Sequence, residues 1–169
     1  MDDAIQKRLS ENQKIFFNKL TNYIEDEIHF YGSIRRFDYI PGKSDIDVDI
    51  FTDNENSLIY KLCDLLHFKK NDFRRVVYKI NGRIVNGYKC KYDNPENDIM
   101  VEMSIYDKNI RDVVIEQHDK ASKLPFVVLL FLYILKYFYY KFGIISDDTY
   151  KKCKHYLMHM SSERNFIIL

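Results

Sequence analysis

The sequence predicts an α+β fold, a mixed arrangement of helices and four or five short strands in one domain. Its 169 residues are typical of a single domain, and 46% apolar content is enough for a folded core. Residues 45–50 and 99–106 alternate apolar and polar side chains with the period of a strand. Residues 4–24, 53–68 and most of the last third instead carry apolar residues at helical spacing.

A possible anion-binding turn follows the first predicted strand, residues 29–31. Gly32 has no Cβ and lets the backbone approach a phosphate, while the Ser33 hydroxyl can donate to it. A helical turn after Ser33 would direct free backbone N–H groups at an anion. Arg35 and Arg36 are positioned to add positive charge there, although they are equally typical of a solvated surface.

An acidic strand begins after a spacer of eleven residues, 34–44, that follows Ser33. Because successive side chains of a strand point to opposite faces, its carboxylates share one face and its aliphatic residues share the other. Carboxylates two residues apart lie about 7 Å apart at the backbone and repel unless a cation lies between them. The strand alternates Asp45, Asp47 and Asp49 with Ile46, Val48 and Ile50.

Gly-Ser, this spacer and Ser-Asp-Ile-Asp-Val together resemble the signature of the DNA polymerase β-like nucleotidyltransferase superfamily. The resemblance covers little beyond residues 31–51. It implies a palm-like fold, a small mixed sheet of four to five strands with helices packed on one face. It also implies that Gly32 and Ser33 bind phosphate and that Asp45 and Asp47 bind metal.

The resemblance further implies transfer of a nucleoside monophosphate from a nucleoside triphosphate, with two Mg²⁺ ions (or Mn²⁺) as cofactors. The superfamily usually has a third carboxylate on a strand next to the acidic one. Glu102 fits this position, and it would accept the proton of the attacking hydroxyl or help to hold a metal. Asp98 and Asp107 flank that strand and remain alternatives.

A β-hairpin is predicted within residues 72–92, because Asn81-Gly82 separates two runs rich in β-branched residues. Asn86-Gly87 offers a second possible turn. The hairpin concentrates positive charge, which would either form a solvated surface or bind phosphates of a nucleotide or nucleic acid. The candidate phosphate contacts are Arg74, Arg75, Lys79, Arg83 and Lys89.

The last third is predicted to be helical, with a very apolar helix between Pro125 and Gly143. Only twelve residues there, 124–135, run without a charge, whereas about twenty are needed to cross a bilayer. We therefore expect a buried core helix and no membrane partner. Lys136 lies in a segment that resembles the helix of poly(A)-polymerase relatives whose lysine reaches the triphosphate; simple snorkelling into solvent is the alternative.

The organisation expected from these elements is a catalytic core over residues 1–108 followed by C-terminal helices over 109–169. The last helix, predicted from Asp147 to about Met160, carries two histidines and a cysteine that make a poor zinc site: Cys153, His155 and His159. The three cysteines are far apart and the N-terminus has no apolar signal segment, which favours a reducing, cytoplasmic location.

The acceptor of the transferred nucleotide is left open by the sequence. Gly-Ser-Ile-Arg-Arg resembles a turn of family X DNA polymerases, and with the basic hairpin it favours a DNA or RNA 3′-hydroxyl. Compact size and a net charge of +1 favour a small molecule or a protein instead. A third alternative is a non-catalytic, antitoxin-type binding module. The oligomeric state is also open, and the C-terminal helices would suit a dimer interface.

Overall fold

A computed structural model of the chain describes residues 2–159, without the side chains of residues 121 and 159. It contains one five-stranded sheet in the order β1-β2-β5-β4-β3, in which only β2 and β5 run parallel. The predicted α+β class with a mixed sheet is therefore confirmed. The strands are β1 (Glu27–Tyr31), β2 (Ile46–Thr52), β3 (Arg74–Ile80), β4 (Arg83–Asn94) and β5 (Ile99–Asp107).

Six α-helices accompany the sheet in the described part of the chain. They are α1 (Asp3–Gln6), α2 (Glu11–Ile24), α3 (Glu55–Leu66), α4 (Arg111–Ser122), α5 (Phe126–Tyr137) and α6 (Asp147–His159). The prediction of a single helix over residues 4–24 is wrong, because the helix is interrupted between α1 and α2. Ser10 and Gln13 form a capping box there, which satisfies free N–H groups and starts a new helix.

The main core lies between the sheet and the pair α2 and α3. The aliphatic side of β2 and the matching side of β5 face these helices and are fully buried or nearly so. At about 25 cal/mol per Å² of apolar surface, this burial is the main driving force for folding. The side chains that β2 and β5 contribute are Ile46, Val48, Ile50, Val101, Met103 and Ile105.

The hairpin between β3 and β4 turns at Asn81 and Gly82, as predicted. Both residues have positive φ, 49° and 79°, which a two-residue hairpin turn of the preferred hand requires. Asn86 and Gly87 lie inside β4 instead, paired with β3. A Cβ on Gly87 would lie 2.6 Å from the carbonyl oxygen of Ile105 and equally close to a ring carbon of Tyr106, so the glycine makes room for that ring.

The acidic face of the sheet is partly covered as well. Val114 of α4 is fully buried in a cluster with Phe51 and Tyr106. Because β2 continues its alternation with Phe51, this end of the face is apolar and needs a partner. Helix α4 thus forms one wall of the space above the carboxylates.

Helix α5 differs from the expected buried core helix. Only Leu132 and Lys136, one turn apart, are buried, whereas Phe126 is 68% exposed and Phe131 is 55% exposed. The described chain provides α6 as a neighbour of α5 but no layer over its outer face. Among residues 2–159, none of the helices combines the length and hydropathy needed to cross a bilayer.

Candidate active site

Strand pairing brings predicted site residues together where β1 ends and β2 begins. In the parallel pair β2–β5, Asp47 lies directly beside Glu102. In the antiparallel pair β1–β2, Asp47 also lies opposite Tyr31, the last residue of β1. The chain therefore leaves β1 at Gly32 immediately next to the carboxylates.

The turn at Gly32 is in contact with Asp47. Gly32 has φ of 73°, and a Cβ built on it would lie 3.2 Å from the Asp47 Cγ and closer still to Oδ2. No residue with a side chain fits this position without moving the carboxylate. The following residues form one turn of 3₁₀ helix, Gly32–Arg35, in which Ser33 is buried.

A cavity of about 810 Å³ opens above the Gly32 turn and the carboxylates. Its floor carries carboxylates, and its walls come from the hairpin and from α4, α5 and α6. Lysines and tyrosines dominate the walls, so the cavity suits an anionic ligand with an aromatic part. The predicted site residues that line it include Gly32, Ser33, Asp45, Asp47, Glu102 and Lys136.

The three carboxylates differ in their burial and in their charged neighbours. Burial, reinforced by the neighbouring Glu102, raises the pKa of Asp47 to about 6. Glu102 forms an ion pair with Lys89 of β4. Asp45 lies at the rim, 3.4 Å from the Lys91 ammonium group. Two hairpin lysines thus provide the counter-charge in this structure.

The donor set suits a hard divalent cation only in part. Carboxylate oxygens are the ligands that Mg²⁺ prefers, and the Glu102 carboxylate beside Asp47 adds to the rise in the Asp47 pKa that burial causes. Within residues 2–159, however, no three Asp, Glu, His or Cys side chains converge closely enough to hold an ion by themselves. The residues therefore fit Mg²⁺ whose remaining ligands are phosphate oxygens and water.

The alternatives for the third carboxylate lie elsewhere. Asp98 ends a 3₁₀ turn and sits against Gly42, where a Cβ would lie 3.1 Å from its Oδ1. Asp107 accepts a hydrogen bond from the Asn109 backbone and caps the turn after β5. Neither lines the cavity, and Glu102 is the residue of the three that lies beside Asp47.

Lys89 is expected to compete with a metal ion for Glu102. Replacing Lys89 with methionine removes the positive charge but keeps the length of the side chain. We expect nucleotide-free Mn²⁺ binding, measured by calorimetry or paramagnetic resonance, to tighten roughly five- to tenfold. Lys19→Met on the exposed face of α2 is the control and leaves binding unchanged. Equal affinities of Lys89→Met and wild type would contradict the competition.

The three predicted cationic nucleotide ligands have different surroundings. Arg36 is buried and donates to both carboxylate oxygens of Asp38, at 2.8 and 3.1 Å. The Lys136 ammonium lies 3.0 Å from the same carboxylate. Both residues reach the cavity wall, where they share the single negative charge of Asp38. Arg35 does not line the cavity, because its guanidinium donates to the Phe30 carbonyl on the outer side of β1.

The buried network around Asp38 ties α5 to the loop after the turn. Lys136 also donates to the Asp38 carbonyl oxygen at 2.9 Å, and Ser44 is within 3.4 Å. Arg36, Lys136 and Asp38 are 8%, 3% and 0% exposed. A charge network this deep is stabilising only while it is complete.

Removing Lys136 is therefore expected to destabilise the fold. In Lys136→Met the helix keeps its apolar packing, but Asp38 loses one of two cations and its carbonyl loses a donor. We expect the free energy of unfolding to fall by about 2–3 kcal/mol in chemical denaturation. Lys152→Met breaks an exposed ion pair on α6 instead and is expected to change almost nothing. Unchanged or higher stability of Lys136→Met would mean that desolvation outweighs the network.

The basic hairpin divides into two groups. Lys79 and Lys89 line the cavity. Arg74, Arg75 and Arg83 are exposed and lie outside it. Contacts of these three arginines with phosphates remain a prediction.

Sequence reasoning missed two residues that the fold brings to the site, Asp38 and His118. Asp38 holds Arg36 and Lys136, and no spacing pattern in the sequence signals this. His118 of α4 lines the cavity and bonds to Asp49, whose place on the acidic face was recognised without a role. The side chain of His159 lies outside the described residues, so the expectation of no zinc site there is still an expectation.

Comparisons with known proteins give weak likenesses. No family profile and no curated protein matches the sequence. The solved structures it is similar to include the polymerase core of TRAMP, an RNA surveillance complex (20% identity, TM-score 0.41, 81% of this chain and 45% of that chain). Others are the GLD-2/RNP-8 complex (14%, 0.38, 88% and 56%) and terminal uridylyl transferase 4 from Trypanosoma brucei with bound UTP and UMP (10%, 0.41, 97% and 59%). The chain spans about half the length of these structures.

Proposed function

We propose that this protein is a metal-dependent nucleotidyltransferase that moves a nucleoside monophosphate from a nucleoside triphosphate to an acceptor hydroxyl. The observation that carries the proposal is the contact between the Gly32 turn and Asp47, beside Glu102. Free backbone N–H groups at the Gly32 turn can bind the β- and γ-phosphates. The carboxylates of Asp47 and Glu102, which lie next to the turn, can bind the cations that accompany these phosphates.

In the proposed reaction, the acceptor hydroxyl attacks the α-phosphorus and pyrophosphate leaves. Gly32 and Ser33 hold the terminal phosphates in line with the attack, so the chain contributes orientation. Glu102 receives the proton of the attacking hydroxyl after its ion pair with Lys89 has opened. Mg²⁺ held by Asp45, Asp47 and Glu102 would neutralise charge on the attacking and leaving oxygens.

A polynucleotide 3′-hydroxyl is the acceptor that we favour. Arg74, Arg75 and Arg83 give β3 and the hairpin turn an exposed positive surface, and Lys79 links this surface to the cavity. Such a surface attracts a phosphate backbone. A small-molecule or protein acceptor is the alternative, since the cavity has room for one beside a nucleotide. A non-catalytic binding role would leave the carboxylates without metal or nucleotide.

One experiment separates these functions. The protein is incubated with Mg²⁺ and each labelled nucleoside triphosphate, and DNA, RNA, protein and small-molecule acceptors are offered in parallel. Label appearing in DNA or RNA, together with nucleic-acid binding that falls steeply with salt, supports the favoured acceptor. Label in another acceptor supports the alternative. The absence of both transfer and nucleotide binding would reject a nucleotidyltransferase altogether.

A further inference from the structure

His118 and Asp49 form a hydrogen-bonded pair in the cavity wall that the proposed reaction does not use. His118 Nδ1 lies 2.7 Å from Oδ2 of Asp49. Asp49 is completely buried, and its Oδ1 has no hydrogen-bond partner among the described residues. The imidazole is therefore the main polar contact of this carboxylate.

The pair fixes which nitrogen of His118 can accept a hydrogen bond. An ionised carboxylate only accepts hydrogen bonds, so we assign the proton to Nδ1 of His118, which donates a hydrogen bond to Asp49. In the neutral ring the other nitrogen, Nε2, is then an acceptor with a free lone pair. The ring is also held flat against Tyr31, with centroids 3.9 Å apart and planes 14° from parallel. His118 is thus fixed both in tautomer and in orientation, and its side chain remains 21% exposed to the cavity.

The position of His118 relates it to the nucleotide donor and not to the acceptor. The sheet order places β1 on one side of Asp47 and β5, with Glu102, on the other. The phosphate-binding turn leaves β1 directly after Tyr31, on which His118 is stacked, and α4 packs against that turn. If the hydroxyl that loses its proton lies near Glu102, His118 lies across the carboxylates from it.

The chemistry of Nε2 selects the part of the donor that it can contact. Phosphate oxygens also present lone pairs, so a neutral acceptor nitrogen does not bind them. A sugar hydroxyl, in contrast, has a proton to donate. The sugar also follows the α-phosphate along the nucleotide, next to the phosphates held by the turn.

We propose that His118, oriented by Asp49, accepts a hydrogen bond from the ribose 2′-hydroxyl of the donor and so favours ribonucleotides over deoxyribonucleotides. Asp49 is a positioning residue in this arrangement. The inference rests on the proposed function, since it requires the triphosphate to lie on the Gly32 turn. A site that hydrogen-bonds a substrate hydroxyl rejects the analogue without it, because its own acceptor is left unpaired.

The test compares the binding of each nucleoside triphosphate with that of its 2′-deoxy and 3′-deoxy counterparts, with Mg²⁺ and without an acceptor. For wild type we expect about tenfold tighter binding of the ribonucleotide than of the 2′-deoxy form. His118→Phe keeps a flat ring on Tyr31 but removes the acceptor, so the ratio falls to about one. Asp49→Asn keeps the size of the side chain but lets an amide donate to Nδ1, so the ratio falls as well.

His67→Phe, at the exposed end of α3, is the control and keeps the wild-type ratio. Circular dichroism establishes whether each variant is folded. If His118→Phe is not folded, the affinity ratio of Asp49→Asn tests the inference instead. Three results would each overturn this inference alone. Wild type could bind the ribonucleotide and the 2′-deoxy form equally well, or bind only the 3′-deoxy form more weakly than the ribonucleotide. The His118→Phe and Asp49→Asn variants could also keep the wild-type ratio. Wild type that binds no nucleotide would overturn the proposed function, and this inference with it.

Discussion

The Asp47→Asn variant is expected to be inactive in nucleotide transfer and yet more stable than wild type at pH 7. Asp47 is the carboxylate that touches the Gly32 turn and lies beside Glu102. Asparagine has the same shape but cannot supply charge to a metal ion, so we expect the transfer rate to fall by at least about a thousandfold. Incorporation of labelled nucleotide measures this loss.

The gain in stability follows from the raised pKa of Asp47. The folded state holds this proton up to about pH 6, whereas an unperturbed aspartate loses it near 3.8. The wild-type free energy of unfolding therefore loses a contribution as the pH rises between these values. The asparagine variant avoids the loss, which gives it an advantage of roughly 2–3 kcal/mol at pH 7 that disappears below about pH 4.

Denaturant titrations at several pH values, with and without Mg²⁺ and nucleotide, measure this advantage. The ligands are expected to stabilise wild type and to leave the variant unchanged. Asp93→Asn, at an exposed position of β4, controls for the removal of one negative charge. A fully active Asp47→Asn enzyme would reject the assignment of the metal-binding carboxylates, and an unchanged pH profile of stability would reject the raised pKa.

Gly32→Ala is expected to cause the second large effect, a loss of transfer activity of at least about a hundredfold. The added Cβ would overlap the Asp47 carboxylate, so the carboxylate or the turn must move. The positive φ of 73° also disfavours alanine, which we expect to lower the free energy of unfolding by about 1–2 kcal/mol. Steady-state rates and denaturation curves measure the two effects.

Gly143→Ala is the matched control, because the chain bends there with a positive φ of 61°, a new Cβ meets no atom within 4 Å, and the residue does not line the cavity. We expect the same kind of backbone penalty and a normal transfer rate. If both alanine variants lose activity equally, the loss comes from general destabilisation and not from the contact with Asp47. If Gly32→Ala is fully active, the turn does not hold the triphosphate.

The local features of the fold could be predicted because each depends on a short stretch of sequence. The acidic strand follows from a period of two, and the hairpin turn follows from Asn81-Gly82, where both residues take positive φ. The start of α2 was missed in the prediction of one helix over residues 4–24, although Ser10 and Gln13 have the spacing of a capping box. The alternative turn at Asn86-Gly87 fails because the ring of Tyr106, from a different strand, needs the space above Gly87.

The features that depend on contacts between distant residues could not be read in this way. The ion pair of Lys89 with Glu102 requires the register of β4 against β5, and the burial of Arg36 requires a helix a hundred residues later to approach Asp38. Proximity of Glu102 to Asp47 was expected through the family resemblance and not from either strand alone. His118 gave no signal in the sequence, because its hydrogen bond to Asp49 depends on how α4 packs against the sheet.

The outward face of α5 also governs how the purified polypeptide will behave at the bench. Phe126, Val127 and Phe131 of α5 each leave more than half of their surface in water. Attraction between such surfaces strengthens on warming through the ambient range. Concentrated samples are thus expected to scatter light as they are warmed, and a mild non-ionic detergent that coats the aromatic rings should keep them clear.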